Sequence, residues 1–169
     1  AGLPVTALLT DMSEPLARSA GNALEIRESM AMLRGEAAEP RLLEVTLALG
    51  AEVMQLGGLA ANAGAAREAQ KSLSSGVAAE RFARMVASLG GPAELIERPD
   101  AHLATAPCVA EAKAARDGFI AAIDTRAIGL AVVALGGGRT RPDQDIDPAV
   151  GLDRLAARSK LSPSGLAKR

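Results

Sequence analysis

The stretch from Ala7 to Glu28 constrains this chain most. Ala7-Leu8-Leu9-Thr10 is apolar, Asp11-Met12 closes it, and a polar loop with Ser13, Glu14 and Pro15 follows. Gly21 then supplies a turn, and Asn22-Ala23-Leu24-Glu25-Ile26-Arg27-Glu28 opens an amphipathic helix. A short apolar run with β-branched residues and no polar face is the pattern of a strand buried on both sides, as in a parallel sheet. Residues 5–10 are therefore expected to be such a strand. The order strand, loop, glycine turn, helix is common in α/β enzymes and by itself says little.

The pattern downstream is helical as far as Gly90. Ala23, Ile26, Met30 and Leu33 recur at helical spacing over 22–34, with Asn22 as the expected N-cap and Gly35 as the stop. Over 40–56, Leu42, Thr46, Leu49, Val53 and Leu56 mark one face, and Leu43, Leu47 and Met54 add apolar residues elsewhere, which predicts a mostly buried helix. Two more helices are expected at 63–74 and 77–89, the latter with Ala79, Phe82, Val86 and Leu89 on one stripe. Gly90-Gly91-Pro92 breaks this pattern, and Arg98-Pro99-Asp100 and Ala106-Pro107 read as a connector. Short strands are expected at 109–113 and 118–123, around the turn Arg116-Asp117-Gly118. Residues 127–135 fit helix or strand. The expected organisation is residues 1–98 as part of an α/β domain, 99–107 as linker, and 108–169 as a small, β-rich α+β unit.

Composition excludes several function classes. The 19 basic and 20 acidic residues are spread along 169 residues, and Phe82 and Phe119 are the two aromatics. Nucleic-acid binding needs clustered cations and stacking faces, so no nucleic-acid partner is expected. No apolar run approaches the ~20 residues that span a bilayer, so no membrane partner is expected. No basic-then-apolar leader stands at Ala1, and Cys108 is the one cysteine. Both point to a reducing cytoplasm, with Cys108 a small buried or semi-buried side chain rather than a nucleophile.

The remaining chemistry-bearing motifs are weak by themselves. Gly136-Gly137-Gly138-Arg139 lacks the spacing and lysine of a P-loop and reads as a flexible turn. His102 has no carboxylate at helical spacing and reads as an exposed loop residue. Asp143, Asp145 and Asp147 alternate, but the glycine and terminal glutamate of a calcium loop are absent, so a solvated turn is expected.

Taken together, the Ala7–Met12 and Gly21–Glu28 stretches, Asp117-Gly118-Phe119, Asp124-Thr125-Arg126-Ala127-Ile128-Gly129 and Gly136-Gly137-Gly138-Arg139 resemble the C-terminal part of the thymidine (pyrimidine-nucleoside) phosphorylase family. The resemblance runs from about Val5 to Leu152. It implies part of that family's α/β domain, a strand plus helices, followed by a small C-terminal domain, with 127–135 as helix. It also implies a parent pentosyltransferase that uses phosphate as co-substrate to cleave a pyrimidine nucleoside, and a homodimer formed through N-terminal helices. The family's KHSTGG-type phosphate loop, its SGRG…TGGT stretch and its base-holding Arg, Ser and Lys do not occur here. No catalytic residue is therefore assigned in this chain, and the segment alone is expected to be inactive. Residues 156–169 match nothing in the family pattern.

The resemblance also implies a potassium site made by two loop carbonyls and one helix carboxylate, which fall here on Leu16, Ser19 and Glu28. Ser19 stands where family members often carry a small apolar residue, a change that a main-chain ligand tolerates. The plain alternative is a solvated helix face, with Arg27 paired to a neighbouring carboxylate. No other cofactor is required. Two different functions compete with the enzyme reading. One is a biotinyl or lipoyl-like carrier, which the context Glu111-Ala112-Lys113-Ala114 does not match. The other is a non-catalytic helical interaction domain. Transferases of the anthranilate phosphoribosyltransferase type share the fold family but fit the residues less well.

Overall fold

The computed structural model describes residues 2–36, 38–157 and 160–161. They are mostly helical, with few strands. The elements are α1 (Asn22–Leu33), α2 (Pro40–Leu56), α3 (Asn62–Ser74), α4 (Val77–Ser88), α5 (Pro99–His102), β1 (Gly118–Phe119), α6 (Thr125–Val132) and β2 (Lys160–Leu161), with a π-type turn at Val133–Gly137 between α6 and β2. The chain forms two compact units, Ala1–Thr10 with Glu28–His102, and Asp11–Arg27 with Leu103–Arg169.

The first unit holds the second half of α1 and the helices α2 to α5. Its core is small: Met30 and Ala65 are fully buried, and Met32, Ala51, Ala69, Leu95 and Ile96 are nearly so. Helices α2 and α3 pack through small residues, with room for only 3.5 Å between a Cβ built on Gly50 and that of Ala69. Alanine and glycine at a contact let backbones approach, so this pair is held by close packing more than by large side chains. Pro40 starts α2 with its φ already set for a helix. Gly35, with φ 77°, ends α1, and the Glu36 amide donates back to the Ala31 carbonyl at 3.0 Å. Beside that turn, Arg34 donates to Glu36 at 2.6 Å and to the Ile96 carbonyl at 2.8 Å. The Glu36 hydrogen bond raises the Arg34 pKa, and the Arg34 hydrogen bond lowers that of Glu36.

Two expectations about this unit change. Residues 5–10 have no strand partner among the described residues, and Val5 is 80% and Leu9 102% exposed. A strand buried on both sides needs neighbours on both sides, and the described residues supply none there. Helix α2 is not mostly buried either: Ala51 is its one buried residue, while Leu49, Val53 and Leu56 are exposed.

The second unit is not β-rich among its described residues. Residues 109–113 form no strand, and 118–123 contributes only β1, whose Gly118 and Phe119 lie opposite Leu161 and Lys160 of the antiparallel β2. Val109 is 81% and Phe119 77% exposed, so neither segment has the buried face that makes a strand stable. Residues 127–135 are helical. Asp124 caps α6 by accepting from the Ala127 amide at 2.9 Å, and the Thr125 hydroxyl donates to the Met12 carbonyl at 3.0 Å. The stretch 156–169 lies largely outside the described residues.

Candidate functional site

The loop before α1 is the part of this chain that carries candidate ligands, and its shape is set within the second unit. Asp11 opens it as a side-chain turn, accepting from the Ser13 amide and hydroxyl, each at 2.8 Å. Leu16 follows in a bend and is 40% exposed, while Ser19 is half-buried. At Ala20 the loop pairs with Leu152 by two bonds, Ala20 N–H to the Leu152 carbonyl at 2.9 Å and Leu152 N–H to the Ala20 carbonyl at 2.8 Å. The Leu155 amide donates to the Arg18 carbonyl at 2.8 Å, and the Arg18 guanidinium donates to the Leu155 carbonyl at 3.3 Å.

Gly21 and Gly151 make this crossing possible. A Cβ on Gly21 would lie 2.6 Å from the Val150 carbonyl oxygen, and one on Gly151 would lie 2.5 Å from that of Ala20. Gly21 also has φ 141°, outside the range that L side chains favour. Gly21, not Asn22, stands at the N-cap. Its carbonyl accepts from the Glu25 amide at 2.9 Å, and its own amide donates to the Glu25 carboxylate at 2.9 Å. Asn22 is the first helical residue, and its side-chain amide donates instead to the Gly137 carbonyl at 2.9 Å. The Ala23 amide donates to the Pro148 carbonyl at 3.1 Å. Two amides at the open end of α1, those of Gly21 and Ala23, are thus taken up by protein groups.

Gly136–Gly138 is therefore a packed helix terminator rather than a flexible turn. Gly136 takes φ 96°, and its carbonyl accepts from the Asp147 amide at 2.9 Å. Gly137 is buried, and a Cβ there would lie 2.9 Å from Val132 Cγ1 and 3.1 Å from Val150 Cγ2. The aspartate run behaves as the solvated turn expected of it. Asp143 is exposed beside Arg141 at 3.7 Å, and Asp147 accepts from the Ala149 amide at 2.8 Å.

Glu28, the candidate carboxylate, lies half-buried on α1 among residues of the first unit. Among the described residues no group of three or more His, Cys, Asp or Glu could hold a metal ion, a criterion that a carbonyl-based site does not meet. Arg27 does not depend on a carboxylate alone, since its guanidinium donates to the Leu103 carbonyl at 3.1 Å.

The other singled-out residues form no constellation. Cys108 is exposed rather than buried. His102 ends α5 and has a carboxylate partner after all, with Nε2 3.5 Å from Glu94; α5 and the preceding turn bring together residues eight apart. Lys113 pairs with Glu111 at 3.3 Å. A shallow hollow of about 410 Å³ is lined by Ala114, Ala115, Arg116, Asp117, Gly118 and Phe119 and gathers no catalytic pair. No helix among the described residues is long and apolar enough to cross a membrane.

Sequence reasoning missed the crossing of Gly21 with Gly151 and the tether from Asn22. Their one signal was the placement of glycines at 21, 136–138 and 151. A glycine pattern shows that backbone comes close to something, but not to what.

Residues 119–158 match the family model of the pyrimidine nucleoside phosphorylase C-terminal domain. The chain is 55% identical over 156 residues to a thymidine phosphorylase of Mesorhizobium japonicum, covering 92% of this chain and 36% of that protein. It is 54% identical over 157 residues to one of Burkholderia cenocepacia, with the same coverage of 92% and 36%. It is 51% identical over 166 residues to one of Burkholderia orbicola, covering 98% of this chain and 38% of that protein. The last match takes in most of the stretch after Leu155, which the family pattern had left unplaced. By sequence, the chain is similar to these thymidine phosphorylases over nearly all of its own length, and it spans a little over a third of the length of the curated relatives it matches.

Proposed function

We propose that this chain is the C-terminal part of a thymidine phosphorylase. The observation that carries the reading is identity of 51–55% to proteins of that name across 92% or more of the chain. In the whole enzyme, a phosphate oxygen attacks the anomeric carbon of a pyrimidine deoxynucleoside as the bond to the base nitrogen breaks. The products are deoxyribose 1-phosphate and the free base. That reaction needs donors placed against phosphate and against the departing base anion. The family's phosphate-loop and base-holding motifs do not occur in this sequence, and no such constellation is found among the described residues, which supports a division of labour. The upstream part of the enzyme holds the reacting groups, and this part supplies an apolar strand, a helical wall and the small C-terminal unit.

Three finer points belong to the same reading. Residues 5–10 are the strand of an α/β sheet whose neighbours lie upstream. The Leu16 and Ser19 carbonyls and the Glu28 carboxylate are part of a potassium site. The whole enzyme is a cytoplasmic homodimer assembled through upstream helices. The runners-up lose support on specific grounds: Lys113 sits on no strand hairpin, and a plain interaction domain does not explain the identities.

The test is phosphorolysis. The whole protein, carrying the upstream sequence of the gene, is expected to release thymine from thymidine in a phosphate-dependent reaction, and the present chain alone is expected to release none. Absence of the reaction in the whole protein, or its presence in this chain alone, overturns the reading.

A further inference from the structure

We propose that residues 147–155 act as a clasp that sets the backbone of residues 18–23, with Asn22 as its positioning residue. The loop that precedes α1 contains few apolar contacts of its own: Leu16 and Met12 are exposed. Its conformation is held instead by bonds from residues more than a hundred positions away. The Ala20–Leu152 pair, Leu155 to Arg18 and Ala23 to Pro148 join residues 18–23 to 147–155, and Asn22 joins the same loop to Gly137, in the turn that anchors the clasp. The clasp is itself anchored by Asp147 to the Gly136 carbonyl, one residue from the Gly137 carbonyl that receives Asn22. The turn at Gly136–Gly138 thus holds both the loop and the clasp, and neither can shift without losing a bond to it.

The chemistry of Asn22 makes this testable. A helix's first residue favours aspartate at least as well as asparagine, because a carboxylate there meets the positive end of the helix. If Asn22 served only the helix, Asn22→Asp would be neutral or stabilising. A side chain that must donate to a carbonyl cannot be replaced by a carboxylate, which only accepts and would face the Gly137 oxygen.

Amide hydrogen exchange on this chain reads the difference directly. Asn22→Asp and Asn22→Ala are each expected to speed exchange at Ala20, Ala23 and Leu152 by about tenfold, the scale of one lost hydrogen bond. The amides of α3 are expected to exchange at unchanged rates. Gly151→Ala, which puts a methyl group against the Ala20 carbonyl, is expected to give the same pattern; if that variant does not fold, the two Asn22 variants decide. Protection in Asn22→Asp equal to or above that of the natural chain overturns the proposal, as does acceleration spread equally over α3. The clasp's bearing on catalysis rests on the phosphorylase reading, because the segment it holds includes Ser19 and follows Leu16. The exchange experiment needs no activity, so failure of phosphorolysis in the whole protein would leave its result standing.

Discussion

Glu28 is the residue whose role most needs the rest of the molecule. Its neighbours on α1 show why it was worth singling out: Glu25 is committed to the Gly21 amide, and Arg27 reaches the Leu103 carbonyl. The helix thus presents three charged residues in four positions, two of them with backbone partners. On the proposed reading, Glu28→Gln in the whole protein keeps size and hydrogen bonding but removes the charge that would balance a potassium ion. The expected outcome is a rate that loses much of its dependence on potassium, measured as phosphorolysis against potassium concentration at constant ionic strength. An unchanged potassium response removes Glu28 from the ligand set. Cys108 and His102 show how residue-scale reasoning fails in both directions. Cys108 was expected buried or semi-buried and is exposed, while His102, expected on an exposed loop, is exposed but ends a short helix and meets Glu94.

At the scale of elements, the helices were legible and the strands were not. Helix boundaries at Asn22, Pro40, Val77, Leu33 and Leu56 follow from local punctuation: Gly21, Pro40 and Gly76 at starts, Gly35 and Gly57 at stops. A helix satisfies its backbone within itself, so a local pattern is enough to place it. A strand satisfies its backbone only through a partner, and residues 5–10 and 109–113 have no partner among the described residues. Helix α6 offers a test of the local rule. Asp124 is exposed and accepts from the Ala127 amide, so Asp124→Ala is expected to cost about 1 kcal/mol in the denaturation of this chain, while Asp124→Ser keeps most of the stability. Equal stability of the alanine variant would show that tertiary contacts alone hold α6.

At the scale of the whole molecule, the described residues expose apolar side chains in runs. Leu3, Val5, Leu9 and Met12 lie along one short stretch, and Leu49, Val53 and Leu56 lie on α2. Single exposed apolar residues are ordinary, but runs of them mark surfaces that something else covers. This chain by itself is therefore expected to bind an apolar dye and to self-associate in sedimentation, whereas the whole enzyme is expected to bind much less dye per mole of this segment. A monodisperse chain that binds no dye would count against the upstream partner and against residues 5–10 as a sheet strand.

What the sequence determined by itself was whatever a short window of residues controls: the helices, their stops, the absence of a phosphate loop, and a family resemblance that the identities bear out. What only the tertiary structure decided was which distant backbone segments meet. Gly21 and Gly151 are 130 positions apart, and at each the backbone of the other segment passes within the space a Cβ would fill. Asn22 looked like a helix cap because asparagine is a good one, yet its side chain donates to Gly137. Local propensity cannot see such a choice: it scores the bonds a residue can make with its neighbours in sequence, whereas the fold selects among those it can make with its neighbours in space.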